Sequence, residues 1–333
     1  MNIADGYGLD AAVHVLPKVH LHCHLEGTLR PAAFRDLAAL AGVEVAAGDP
    51  YDFVDFAGFL QTFMSVCKVL RVPQDYARLA REFVEGAREE NALYGELFIS
   101  PSAWAFFHPT LDIRAAIAAI ARELRADPER EFALIVDVTR NLGVESALGT
   151  VELAAECKAL GVVGIGLGGD EVRFPAELFE SVFDDARERG LHTVAHAGEA
   201  AGAQSVRAAV EILRAQRIGH GIAALNDPAV LELLVARQVA LEVCPTSNVR
   251  TGAVSPGAPH PIFGLVDAGV RVVVDADDPA LFGTSIEGEY RYVARQAGLP
   301  TLRQCIDTAI DASFATPHRK EALRAALADA GRS

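Results

Sequence analysis

Short apolar runs alternate with helical stretches eight times along this chain, and few folds can absorb such a pattern. The runs are Lys18–His24, Leu93–Ser100, Phe132–Thr139, Val162–Gly169, His192–Glu199, Arg217–Gly221, Ala240–Thr246 and Arg271–Asp277. Several are continuously apolar, as in VVGIGLGG and RVVVDA, which fits strands covered on both faces of a parallel sheet. Between them, Tyr76–Glu90, Ile113–Ala126, Val144–Leu160, Ala176–Arg189 and Asp227–Arg237 carry helical periodicity. Eight strand–helix units predict a (β/α)8 barrel. An open doubly wound sheet is the alternative, but no G-x-G-x-x-G follows the first strand, which weakens its dinucleotide-binding form.

No Pro/Gly/Ser-rich linker divides the 333 residues, so residues 1–333 read as one barrel domain. Residues 52–70, DFVDFAGFLQTFMSVCKVL, do not fit the alternation. Phe56, Phe59 and Phe63 fall roughly at helical spacing there. They suit either a core-facing helix or a helix covering the barrel mouth against a flat apolar ligand. The tail from Thr301 to Ser333 reads as terminal helices on the outside of the barrel.

Barrels of this kind gather functional side chains at the carboxyl ends of their strands. The first strand ends in His22 and His24, which share one face because strand side chains repeat every two residues. Gly27 then allows a sharp turn. The fifth run ends in HAGE, with His196 and Glu199; the sixth in IGHG, with His220; the eighth in DADDP, with Asp275, Asp277 and Asp278. Taken singly, each has an ordinary reading: a core histidine, a turn between glycines, an aspartate capping a helix before Pro279. Those ordinary readings give the residues no common location, whereas a barrel puts all of them around one mouth. His22, His24, His196 and Asp277 make a zinc-type ligand set, with Glu199 and His220 left over for proton transfer. Zinc lowers the pKa of bound water from ~15.7 to ~7, so the set supports metal-assisted hydrolysis. His20 lies deeper on the same strand face and reads as structural. Cys23 faces the other way.

Charge narrows the partners. With 45 acidic against 30 basic residues the formal net charge is −15, which repels phosphate backbones and anionic lipid, so neither nucleic acid nor membrane is an expected partner. Five scattered cysteines without C-x-x-C spacing suggest reduced thiols in a cytoplasm. Neither a signal peptide nor an apolar run approaching the ~20 residues of a membrane span is visible. Oligomeric state is left open.

The blocks LPKVHLHCHLEGTLRP, DFAGFLQTF, GIGLGGDE, HAGE, RIGHGI, LEVCPTSNV and DADDPALF run nearly the whole length. In order and spacing they resemble the adenosine deaminase family of the amidohydrolase superfamily. The resemblance implies a (β/α)8 barrel with one Zn2+ that hydrolyses the 6-amino group of adenine-type rings and releases ammonia. It assigns His22, His24, His196 and Asp277 to the zinc, and Glu199 to protonation of ring N1. His220 would orient the attacking hydroxide, Asp278 would hold N7, and the Gly169 amide would hold N3. Phe56, Phe59 and Phe63 match the family's hydrophobic lid.

One position departs. Adenosine-specific members have HxHLDG, whose aspartate contacts the ribose 5′-hydroxyl, whereas this chain has Glu26. The adenine deaminases of the family also carry glutamate here, yet GLGGDE is similar to the nucleoside-type members. A third subgroup acts on 6-aminodeoxyfutalosine in a menaquinone route, and loss of the 5′-hydroxyl contact suits that substrate. Arg173 would then pair with its benzoate, a solvated loop arginine being the alternative. The resemblance thus implies 6-aminodeoxyfutalosine first, adenosine next and free adenine third. A non-catalytic nucleoside-binding barrel should have lost the acid or a ligand, and all are present. A metal-dependent phosphoesterase would want a second metal and basic phosphate contacts, but the fourth strand ends in Gly168–Gly169 without a lysine.

Overall fold

The computed structural model describes residues 3–45 and 47–331. Eight parallel strands follow one another in chain order around a nearly closed barrel. They are β1 (Lys18–His24), β2 (Ala92–Ile99), β3 (Glu131–Thr139), β4 (Val162–Gly168), β5 (His192–Ala197), β6 (Arg217–His220), β7 (Ala240–Val243) and β8 (Arg271–Val274). The expected (β/α)8 architecture is therefore present. β1 shows why the continuous runs read correctly: all seven of its residues are buried. Val19, Leu21 and Cys23 join the apolar layer under the helices, while His20, His22 and His24 alternate with them and turn inward.

The seam between β8 and β1 is closed by polar groups. His24 N–H donates to the Asp277 carbonyl at 2.8 Å, and Asp277 N–H donates to the His22 carbonyl at 3.0 Å. Lower down, the Asp275 carboxylate accepts from the amides of Leu21 (2.6 Å) and His22 (2.8 Å) and faces His20 Nδ1 at 2.7 Å. His20 is thus part of the barrel wall below the site, as its position on β1 implied. Asp275 takes the place of a strand carbonyl because β8 stops at Val274.

β5, β7 and β8 stop two or three residues before their apolar runs end, at Ala197, Val243 and Val274, and Glu199 and Asp277 sit on the loops that follow. Gly198 turns the chain with φ +71°, and Pro245 starts the short helix Pro245–Arg250. The aromatic segment forms the helix Phe56–Val69, which starts where Asp55 accepts from the Gly58 amide at 2.8 Å. A cap of this kind is worth about 1 kcal/mol. The tail forms Ile286–Ala312, interrupted at Gly298, and Pro317–Asp329. Ser333 lies outside the described residues. A helix over Ile3–Val15 was not anticipated, because its glycines and weak apolar stripe give no helical signal; the buried Lys18 Nζ binds its carbonyls at Val13 (2.9 Å) and His14 (2.7 Å). Among the described residues, no helix is long and apolar enough to cross a membrane.

Candidate active site

A cavity of about 350 Å³ opens at the carboxyl ends of the strands. Its polar floor holds His24, His196, His220, Glu199, Asp277 and Asp278; Phe56, Phe59 and Phe63 of the aromatic helix form an apolar wall. Segments spread over more than 250 residues of sequence therefore meet at one mouth.

The imidazoles and Asp277 converge closely. His24 Nε2 lies 3.3 Å from His196 Nε2 and 3.4 Å from Asp277 Oδ1. His22 Nε2 is 3.5 Å from the same Oδ1. Donor atoms of His22, His196, His220 and Asp277 all fall within 4.8 Å of one another, and Asp277 also belongs to a second such group with His24 and Asp278. Buried His22 Nε2 has no hydrogen-bond partner, an expensive arrangement unless another ligand takes the lone pair. Burial holds His24 and His220 down to about pKa 4 and pushes His196 well below the usual histidine range. These rings are neutral and can offer lone pairs at physiological pH. His22 goes the other way: against burial, Asp277 and Glu242 hold it well above the usual histidine range, so a metal ion there would replace its proton. On those terms the donor set fits a metal ion.

Buried partners hold the rings in place. His22 Nδ1 is 2.8 Å from Glu242 Oε2. Glu242 in turn pairs with Arg217, which reaches Glu96 at 2.7 Å and lies 4.0 Å under the Phe314 ring. A carboxylate behind a ligand histidine fixes its tautomer and aim. Phe98 packs beneath, 5.0 Å from the His24 ring and 5.1 Å from His22. Gly219 is required for close approach: a Cβ there would sit 2.6 Å from His22 Cε1.

His220 and Asp277 both have φ of +60°, a region non-glycine residues rarely occupy. Backbone strain of this kind costs of order 1–3 kcal/mol and clusters at functional sites. His220 Nε2 lies 3.5 Å from Glu199 Oε2 and 3.9 Å from Asp277 Oδ2. Burial, and then the charge of Asp277, push Glu199 up to about pKa 8, so it keeps its proton near neutrality. Burial and Asp277 likewise push Asp278 well above the carboxylate range. Asp278 packs against Gly27, where a Cβ would lie 2.0 Å from its Oδ1. The chain does turn at Gly27, in a short 3-10 turn, and the missing side chain also makes room for Asp278.

Gly169 lines the cavity at φ +103°. Two other candidate contacts lie outside the lining residues. Glu26 is fully buried and is not a wall of the cavity; its Oε1 accepts from the Ser100 amide (2.8 Å) and Trp104 Nε1 (2.7 Å). Those donors hold Oε1, while the buried Oε2 has no hydrogen-bond partner. Arg173 also lies outside the lining residues: its side chain is 75% exposed, 3.9 Å from Asp170, over the Phe174 ring.

Several residues of the site were not singled out from sequence. Ser247, Asn248 and Thr251, from the PTSNVRT stretch, reach Asp277, His220 and Glu199 at 2.6, 3.1 and 3.2 Å. Glu171 accepts from the amides of Gly198, Glu199, Ala200 and Ala201, pinning the loop that carries Glu199. Asp137 lines the cavity from β3. The signals for these were a polar cluster after a proline and a lone acid inside an apolar run.

The adenosine deaminase family profile matches residues 17–330. The chain belongs to the adenosine deaminase family. It is a metal-dependent deaminase of the amidohydrolase superfamily. Relatives of this family member include an aminodeoxyfutalosine deaminase from Streptomyces coelicolor, 37% identical over 92% of this chain and 82% of the relative. An adenine deaminase from Rhodospirillum rubrum is 35% identical over 96% of this chain and 98% of its own. The crystal structure of an amidohydrolase from Burkholderia ambifaria, with bound Zn, superposes with a TM-score of 0.89 at 27% identity, covering 99% of this chain and 93% of that one.

Proposed function

We propose that this deaminase acts on the 6-amino group of a 5′-modified adenine nucleoside, with 6-aminodeoxyfutalosine as its first substrate and adenosine its second. The whole chain acts as one catalytic unit. The observation that carries the deaminase reading is Glu199, a buried acid that keeps its proton near neutrality, 3.5 Å from His220 at the edge of the metal-type cluster.

His22, His24, His196 and Asp277 would hold one Zn2+, a choice supported by the zinc-containing structural neighbour. When bound, the ion acidifies water, so that an attacking nucleophile is available at neutral pH. His220 Nε2 orients that nucleophile and holds its proton. Glu199 gives its proton to ring N1, drawing electron density from C6 as the new C–O bond forms. Proton transfer to the exocyclic nitrogen then lets ammonia leave as the C–N bond breaks. Asp278 donates to N7, the Gly169 amide donates to N3, and the Phe56–Phe63 face excludes water above the ring.

Glu26 in place of the shorter aspartate supports a 5′-modified substrate, because its Oε1 is bonded to Ser100 and Trp104 and the residue lies outside the cavity lining. Free adenine is the second reading, favoured by relatives named adenine deaminase that match nearly the whole chain. With Arg173 outside the cavity, a benzoate tail would meet the mouth without it. Five buried, unpaired cysteines suit a reducing cytoplasm. The test is kcat/KM on adenine, adenosine, 5′-deoxyadenosine and 6-aminodeoxyfutalosine. The highest value is expected for 6-aminodeoxyfutalosine; a preference for adenine selects the second reading, and no turnover of any of the four overturns both.

A further inference from the structure

Asp137 is a carboxyl with no function in the scheme above. It is 5% exposed, lines the cavity, and its Oδ1 is buried without a hydrogen-bond partner. An unpaired acceptor that also lines the cavity is open to a donor on a bound ligand. Neighbouring β4 is built around it. In register, Asp137 lies opposite Gly166, and Thr139 opposite Gly168. A Cβ at Gly166 would sit 2.5 Å from Asp137 Oδ1, and one at Gly168 would sit 2.5 Å from Oδ2. Both glycines leave space that the carboxyl fills.

The order of strands around the mouth says which part of a purine Asp137 faces. β5 leads to Glu199, assigned to N1, and β4 leads to Gly169, assigned to N3. β3, carrying Asp137, comes next. Around the purine the same path runs N1, C2, N3, C4, N9. Glu26, whose charge acts on Asp137, binds Ser100 and Trp104 through Oε1 and lies outside the cavity lining. Asp137 is the carboxyl that lines the cavity on that side. Burial, and then the charge of Glu26, push it up to about pKa 8, leaving a neutral acid whose carbonyl oxygen still accepts.

We infer that Asp137 is a specificity-determining residue that accepts a hydrogen bond from an N–H or O–H donor at the N9 side of the purine. This rests on the ring orientation proposed above. The donor is either N9–H of a free base or a ribose hydroxyl of a nucleoside, and the two sources separate by experiment. A site built to hydrogen-bond such a donor discriminates against analogues lacking it, because its own polar atom is then left unpaired.

The experiment uses metal-loaded wild type, Asp137→Asn and Asp137→Ala, with melting curves to check folding. For each, kcat/KM is measured on adenine, 9-methyladenine, adenosine, 2′-deoxyadenosine and 3′-deoxyadenosine, alongside calorimetric binding of hypoxanthine and inosine. Wild type should favour a donor-bearing substrate over its donor-less analogue. Asp137→Ala should lower kcat/KM on that substrate by about 10- to 100-fold, mainly through KM, and leave the analogue nearly unchanged. A loss confined to adenine identifies N9–H; a loss confined to one nucleoside pair identifies that hydroxyl. Equal losses on every substrate, or unchanged discrimination in both variants, would overturn the inference while leaving the deaminase reading intact. Wild type that neither turns over nor binds any purine removes both.

Discussion

Ser247 Oγ donates to Asp277 Oδ2 at 2.6 Å, leaving Oδ1 to face the imidazoles of His22 and His24. The same short helical turn places Asn248 on His220 and Thr251 on Glu199. One seven-residue stretch therefore orients three groups with three separate tasks.

Ser247→Ala should loosen Asp277 without removing a ligand. Loss of such a supporting hydrogen bond typically weakens metal affinity or activity by about 10- to 100-fold. Competition with a fluorescent zinc chelator measures the affinity directly. Unchanged affinity and turnover would mean that Asp277 holds its aim unaided.

Glu199→Gln should keep its fold and metal but lose roughly 10²–10⁴-fold in turnover, the usual worth of a positioned acid. The pH profile follows from the same group. Burial raises the Glu199 pKa to about 8, so the proton-donating form persists below that pH and is lost above it. kcat/KM should fall on the alkaline side of about pH 8 in the wild type, and the residual rate of the glutamine variant should lack that limb. An identical alkaline limb in both proteins would assign it elsewhere.

Glu26 gives a stability prediction. Burial raises its pKa to about 7 in the folded chain, against about 4.3 in an unfolded one. Between those values the folded state holds a proton that the unfolded state has released, so stability is full below about pH 4 and declines as pH rises through about 7. Glutamine keeps an acceptor for Ser100 and Trp104 and carries no such proton. Glu26→Gln should therefore gain in Tm relative to wild type on going from pH 4 to pH 8. A Tm difference that is constant with pH would contradict the burial argument.

Gly219→Ala tests the packing behind the ligands. Its Cβ would press on His22 Cε1, and His22 is held from behind by Glu242. The expected outcome is loss of bound zinc by elemental analysis with most of the secondary structure kept. Normal zinc content would show that the ring can move aside.

The barrel was legible because its strands are buried on both faces and read as continuous runs. The metal-type cluster was legible because a barrel forces strand ends together, so His22, His196 and Asp277 needed no local motif to be linked. Strand ends were overread at β5, β7 and β8, where a glycine turn, a proline and the Asp275 carboxylate bound to β1 amides interrupt the ladder before the run ends. Glu26 was read from its place inside the first block and Arg173 from its place just after GGDE; neither is among the residues that line the cavity. Asp137 left only the weak signal of a lone acid inside an apolar run, and the surroundings that give it and Glu171 their places are glycines and backbone amides on other strands and loops, which a linear sequence does not show.

The most direct measurement is zinc titration into metal-depleted enzyme, with ammonia release from the preferred aminopurine followed at each addition. Ammonia release should be absent without metal, rise linearly, and saturate at one zinc per chain. Full release from metal-free enzyme, or no release from any aminopurine at any zinc level, would contradict a deaminase built on this cluster.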